Sequence, residues 1–239
     1  MTLSAAPPYD SVHNRLLAAT GADNYEWLRP QLELVPMRVG EVLITANNPI
    51  EHVYFPVRGF ISKLVRTCED RAEVGLVGRE GFVSTAVALG TRLCPHTSVV
   101  QGEGEALRMK ASALQAALAE QPTLFRPFGL YTQAFIAQLS RSIYANASFG
   151  VEARLARWIL MAHDRVEGDE LQLTHVFLSA MLAVRRPSVT VTMHVLEGVG
   201  AIRNTRGHMI ILDRAKLIDL AGDSYQVAED EYERLMAEA

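Results

Sequence analysis

Apolar residues between Leu34 and Met109 come in short runs of five or six, partly alternating with polar ones. The runs VGEVLI (39–44), HVYFPV (52–57), FISKLV (60–65), EVGLV (73–77), SVVQG (98–102) and EALRM (105–109) are rich in Val, Ile, Leu and aromatics, as half-buried strands are. Gly40, Gly59, Gly78, Gly81 and Gly102 punctuate them, and Asn47-Asn48-Pro49 offers a turn in which asparagine tolerates positive φ. The fragment GEGE (102–105) lacks the lysine and following helix of a phosphate loop, so it reads as another turn. A short helix is expected before this region, around Asn14 to Ala19, and the region itself should form a small antiparallel barrel or roll.

From Ser112 onward the apolar spacing changes to three and four residues, the period of helices. One apolar row runs Leu124, Phe128, Tyr131, Phe135 and a second Ile136, Leu139, Ile143, more hydrophobic face than one neighbour covers. The second row predicts packing on a symmetry mate in a homodimer. Pro127 places the start of the long helix near itself, because proline costs little in a first turn. VEARLARWILMAHDRVEGDE (151–170) follows as an amphipathic helix ending at Gly168.

The stretch LTHVFLSAMLAVRRPSVTVTMHVLEGVGAI (173–202) fits two short helices joined by a tight turn at Ala183-Val184. Thr174 is a suitable N-cap for the first, and Val176, Phe177, Leu178, Met181 and Leu182 are its apolar contacts. The second opens at Arg185-Arg186-Pro187, where proline pre-sets the backbone. Val189, Met193 and Leu196 share its inner face, leaving Arg186, Pro187, Thr190, Val191 and His194 outward. Arginine can bond two acceptors of guanine, hydroxyls can hold phosphates or bases, and Val191 can touch a thymine methyl. Residues 201–204 and 208–212 can pair as a hairpin around Arg206-Gly207, with Arg203 and Arg206 set to meet phosphates. The candidate DNA contacts are therefore Thr174, His175, Arg185, Arg186, Ser188, Thr190, Val191, His194, Arg203 and Arg206.

The formal net charge of −4 over 239 residues argues against nucleic acid only as an average. Residues 171–214 hold five arginines (185, 186, 203, 206, 214) against Glu197 and Asp213, while the acids gather beyond Asp219. The composition, 49% hydrophobic and 21% charged, belongs to a soluble globular chain. It has no long apolar run and no secretory pattern at its start, so a cytoplasmic location is expected. Cys68 and Cys94, far apart and without a second pair, read as idle thiols rather than cluster ligands.

Together these motifs resemble the Crp/Fnr superfamily of bacterial transcription regulators. The resemblance rests above all on residues 173–202 with RGHMIILDRAKL (206–217), and more weakly on GEVLITANNPIEHVYFPVRGFI (40–61) and the long helix. It implies an α+β chain. An N-terminal antiparallel β-roll of the double-stranded β-helix or jelly-roll type with its leading helices would span 1–121, a long dimerisation helix and hinge 122–149, and a C-terminal winged helix-turn-helix 150–239. It also implies a homodimer reading a roughly palindromic operator in double-stranded DNA, with Arg186 as the leading base reader and RNA polymerase as a further contact. Pro187 stands where many relatives carry an acidic residue, so their target sequence does not transfer.

Relatives that bind cyclic nucleotides use a Gly-Glu pair, then an arginine followed by a small hydroxyl residue. Here Phe82 follows Gly81, and His96 precedes Thr97, so this degenerate cassette does not fit a cyclic nucleotide and the effector stays unassigned. Arg92 sits in the variable loop nearby. His52, His96 and Met109 are isolated ligand types that make neither a haem nor a metal site. No cofactor and no enzymatic activity are expected. The competing readings are a β-roll module working through protein contacts and a cupin-like metalloenzyme. The double arginine opposes the first, and the lack of clustered histidines the second.

Overall fold

The computed structural model describes residues 4–66, 71–205 and 207–239. Cys68 and Arg206 lie outside them. Strand β1 (Ser4–Ala5) leads into α1 (Arg15–Ala19) and α2 (Ala22–Leu28), followed by β2 (Glu33–Met37), β3 (Val42–Ile44), β4 (His52–Arg66) and β5 (Arg71–Val77). A single-turn helix α3 (Thr85–Ala88), the long strand β6 (Thr97–Lys110) and α4 (Ala111–Glu120) complete the N-terminal part. Then come α5 (Pro122–Ser148) and α6 (Val151–His163). Beyond them lie β7 (Glu170–Gln172), α7 (His175–Leu182), α8 (Arg186–Gly198), β8 (Ile202–Thr205), β9 (His208–Ile211), α9 (Arg214–Ala221) and α10 (Val227–Met236).

The first sheet is antiparallel in the order β1-β2-β6-β4-β5, with β3 also on β6, and the second is β7-β9-β8. Two pairs of expected short strands are fused. HVYFPV and FISKLV form one strand, β4, and SVVQG and EALRM form β6. The glycines between them act as bulges rather than turns, and the 4–6 register shifts between Pro56 and Ile61. Gly59 has φ 77°, and a Cβ there would stand 2.4 Å from the Gly102 carbonyl oxygen. GEGE is therefore strand, not turn. The Asn47 turn is as expected, with φ 61°.

Helix α5 starts at Pro122, five residues before the start near Pro127 expected from sequence, and carries Pro127 inside it. Pro122 occupies the first turn, where its missing N–H costs nothing, and Pro127 is buried. Leu124, Phe128, Tyr131 and Phe135 are buried, while Ile136 is 49% and Ile143 70% exposed. Helix α6 ends at His163, short of Gly168. No helix among the described residues is long and apolar enough to cross a membrane.

The buried apolar residues form two cores. One joins the roll to α5 through Phe55, Phe82, Phe128 and Tyr131. The other joins α6–α9 to the small sheet and reaches Phe60, Leu64 and Leu76 of the roll. Trp158 on α6 sits edge-on to Phe60 and Phe177, with ring centroids 6.2 and 5.4 Å away. Its Nε1 donates to Glu73 Oε1 at 2.7 Å, and Ser62 Oγ donates to Glu73 Oε2 at 2.5 Å. Arg165 pairs with Glu80 at 2.7 Å, and the Leu76 N–H donates to Gln138 Oε1 at 2.8 Å.

Candidate nucleic-acid interface

Helix α7 begins where Thr174 Oγ1 accepts from the Phe177 N–H at 3.2 Å, the expected cap. Leu178, Met181 and Leu182 are buried, but Val176 is 49% exposed and does not join them. The helix ends at Ala183, φ 51°, and the next N–H, Val184, returns to the Ser179 carbonyl at 3.0 Å. Such a left-handed cap usually takes glycine. Arg154 of α6 donates to the Leu182 carbonyl and fastens this end.

Helix α8 follows at Arg186 with Arg185 as N-cap and Pro187 in its first turn. Val189, Thr192, Met193 and Leu196 are buried at helical spacing. Thr192 joins this face although its hydroxyl hid it in the sequence. The opposite face is open: Arg185, Arg186, Pro187, Ser188, His194 and Val195 are exposed, and Val191 is 62% exposed. No described residue forms an ion pair with Arg185 or Arg186. His194 Nδ1 lies 3.5 Å from Glu197.

His175 and Thr190 have another occupation. Asn204 Nδ2 lies 3.2 Å from His175 Nε2, His175 Nδ1 lies 3.0 Å from Thr190 Oγ1, and Thr190 donates to the Arg186 carbonyl at 3.2 Å. An amide NH₂ only donates, so Nε2 accepts and Nδ1 carries the proton passed toward Thr190. The resulting chain runs from β8 through α7 to the first turn of α8. Glu197 adds a second tie, its Oε1 accepting from the Asn204 N–H at 2.8 Å. Asn204 and Glu197 escaped the sequence reading because their partners lie on other elements. The only signal was their polarity beside buried neighbours.

Strands β8 and β9 pair from Ile202 with Ile211 to Thr205 with His208, giving the expected hairpin. Arg203 is exposed on β8. Gly207 has φ 83°, the left-handed backbone a tight hairpin needs.

The degenerate cassette does not come together as one polar site. Phe82 is fully buried, stacked on Phe55 at 5.5 Å and edge-on to Phe128 at 5.1 Å. Gly81 is covered by Tyr131, whose ring carbons would lie 1.9 Å from a Cβ at that position. His96 and Thr97 face other partners: His96 Nδ1 lies 3.4 Å from Cys94 Sγ, and Thr97 Oγ1 accepts from the Ala46 N–H at 3.3 Å. Burial, with Lys63 nearby, holds the His96 imidazole below its ordinary range. Met109 is a core side chain.

Residues 153–220 match the Crp-like helix-turn-helix domain. No curated protein sequence matches the chain. Among solved structures, FixK2 from Bradyrhizobium japonicum is similar at 14% identity and a TM-score of 0.65, over 80% of this chain and 98% of its own. A CRP-family transcriptional regulator from Thermus thermophilus gives 16% and 0.67 over 80% and 98%. The c-di-GMP responsive global regulator CLP of Xanthomonas campestris gives 14% and 0.63 over 80% and 99%.

Proposed function

We propose that this chain, a transcription regulator of Crp/Fnr type by its fold and its Crp-like helix-turn-helix domain, acts as a homodimer on a roughly palindromic DNA operator. The observation that carries this reading is the open face of α8, where Arg185, Arg186 and Ser188 stand exposed at the N-terminal turn beside Val191. Arg186 reads a guanine, and Arg185, Ser188, Val191 and His194 lie within reach of neighbouring bases or phosphates. Thr174, His175 and Thr190 hold α7, α8 and the wing in register, and Thr190 is the one of them beside the base-reading face. Arg203, with Arg206, contacts the phosphate backbone from the wing.

The outer face of α5 supports the dimer, although Leu139 of the expected second row packs on the core of the roll instead. Ile136, Ile143 and Tyr144 are 49%, 70% and 45% exposed, a patch that a second α5 would cover. Paired in this way, two α8 helices enter successive major grooves about 34 Å apart. A cyclic nucleotide is not the proposed effector: Phe82 follows Gly81 where nucleotide-binding relatives carry a glutamate, and its ring packs on Phe55 and Phe128. Contact with RNA polymerase then follows from where the dimer sits on a promoter.

Selection of random duplex DNA by the purified chain tests this reading. The expected product is an inverted repeat whose half-sites are centred about one helical turn apart. Failure to enrich any motif, with or without cell extract as a source of effector, overturns it.

A further inference from the structure

Helix α8 carries a ridge of exposed apolar side chains. Pro187, Val191 and Val195 follow one another at intervals of four residues, so they line up on one side of the helix. Val191 is 62% and Val195 38% exposed, and neither belongs to the core of this end, which takes Val189, Met193 and Leu196 from α8 instead. Arg185 and Arg186, both exposed, flank the head of the ridge.

The same stretch is as telling for what it lacks. Residues 185–196 hold no Asp, Glu, Asn or Gln. Carboxylates accept from the cytosine amino group and carboxamides bond two atoms of adenine, so this part of α8 has neither device. Glu197 comes next, and its Oε1 is taken by the Asn204 N–H at 2.8 Å. The Thr190 hydroxyl is engaged by His175 and by the Arg186 carbonyl. What the open face offers beside its arginines, Ser188 and His194 is apolar surface. The apolar group that a base edge presents in the major groove is the C5-methyl of thymine. 5-Methylcytosine carries the same methyl at the same ring position.

We propose that Pro187 and Val191 read pyrimidine C5-methyl groups, so that the chain accepts thymine and 5-methylcytosine alike at these positions and discriminates against cytosine and deoxyuridine. The two residues stand about 6 Å apart along the helix axis, close to two base-pair steps of about 3.4 Å each. Neither side chain donates or accepts a hydrogen bond, so neither senses the exchange of O4 for an amino group that separates thymine from cytosine. The methyl is what remains to be read. Methylation of cytosine at such a position therefore strengthens binding rather than blocking it. This inference rests on the proposed DNA function and names the bases that the open face of α8 selects.

Affinities of the full chain for the operator obtained by selection test it, with deoxyuridine replacing each thymine of a half-site in turn. Cytosine and 5-methylcytosine are then compared at the same positions. A loss of about fourfold for each methyl removed is expected at one or two positions, with 5-methylcytosine bound tighter than cytosine there by a similar factor. Val191→Ala and Pro187→Ala should each move the thymine-to-deoxyuridine ratio toward one at its own position and leave discrimination at the guanine read by Arg186 intact. Melting curves of the two variants report that they fold. Equal affinity for thymine and deoxyuridine throughout the half-site overturns the inference. A methyl effect that survives undiminished in both variants also overturns it, since that effect then comes from the duplex and not from these side chains. Failure to select any operator refutes the proposed function itself, whereas a specific operator without a methyl effect refutes only this inference.

Discussion

Trp158 Nε1 donates to Glu73 Oε1 at 2.7 Å, which ties the helix entering the DNA-binding end to a strand of the roll. Loss of hydration, only partly offset by Ser62, Trp158 and the charges of Arg157 and Arg165, raises the Glu73 carboxyl from 4.5 to about 7. The folded chain therefore keeps a proton that the unfolded chain releases between those values. Below about 4.5 both states hold it and nothing is lost; stability then falls as pH rises toward 7 and levels off above.

The slope in that window should reach at most about 1.4 kcal/mol per pH unit. Denaturant titrations from pH 4 to 8 check this. Glu73→Gln should flatten the profile and add stability at the alkaline end. A Gln variant with the parent's slope would mean that another group governs it.

Gly81→Ala should destabilise the roll by about 1–3 kcal/mol, because the new Cβ meets the Tyr131 ring at 1.9 Å with Phe82 and Phe128 behind it. Thermal melting of the variant checks it, and the double variant Gly81→Ala/Tyr131→Leu should recover part of the loss. An unchanged melting temperature would contradict the packing described.

Ala183→Gly should stabilise the chain by roughly 0.5–1 kcal/mol, since alanine is held at φ 51° in the turn between α7 and α8. Chemical denaturation is the measurement. A loss of stability would mean that the methyl group's packing outweighs the backbone strain.

Ile143→Glu places a charge on the most exposed apolar residue of the outer α5 row. Sedimentation should show a dimer for the parent chain and a folded monomer for the variant. A variant that remains dimeric would remove this row from the interface.

These tests divide along the line between what was readable in the residues and what was not. The helix pair was legible because its signals are local: Thr174 caps, Pro187 starts, and Val189, Met193 and Leu196 repeat at helical spacing. The roll was legible in kind but not in strand length, because Gly59 and Gly102 look like turn residues and their close approach across two strands is visible only in space. Pro127 misled for a related reason. A proline inside a buried helix resembles one at its start until Pro122 is seen to fill that place. His175 and Thr190 carried hydroxyl and imidazole chemistry that suits DNA, yet the chain from Asn204 to Arg186 occupies them within the fold. A cavity lined by Tyr131, Tyr225 and Tyr232 left no trace in the sequence, since its lining runs from Arg15 to Glu233, 218 residues apart.

The most direct test of the account measures the affinity of the parent chain and Arg186→Ala for the selected operator and for every single-base variant of one half-site. The account predicts a loss of about 1–3 kcal/mol on the operator and loss of discrimination at one base pair, with the other positions still distinguished. Equal weakening on all sequences, or no weakening, would contradict a base-reading role for the open face of α8.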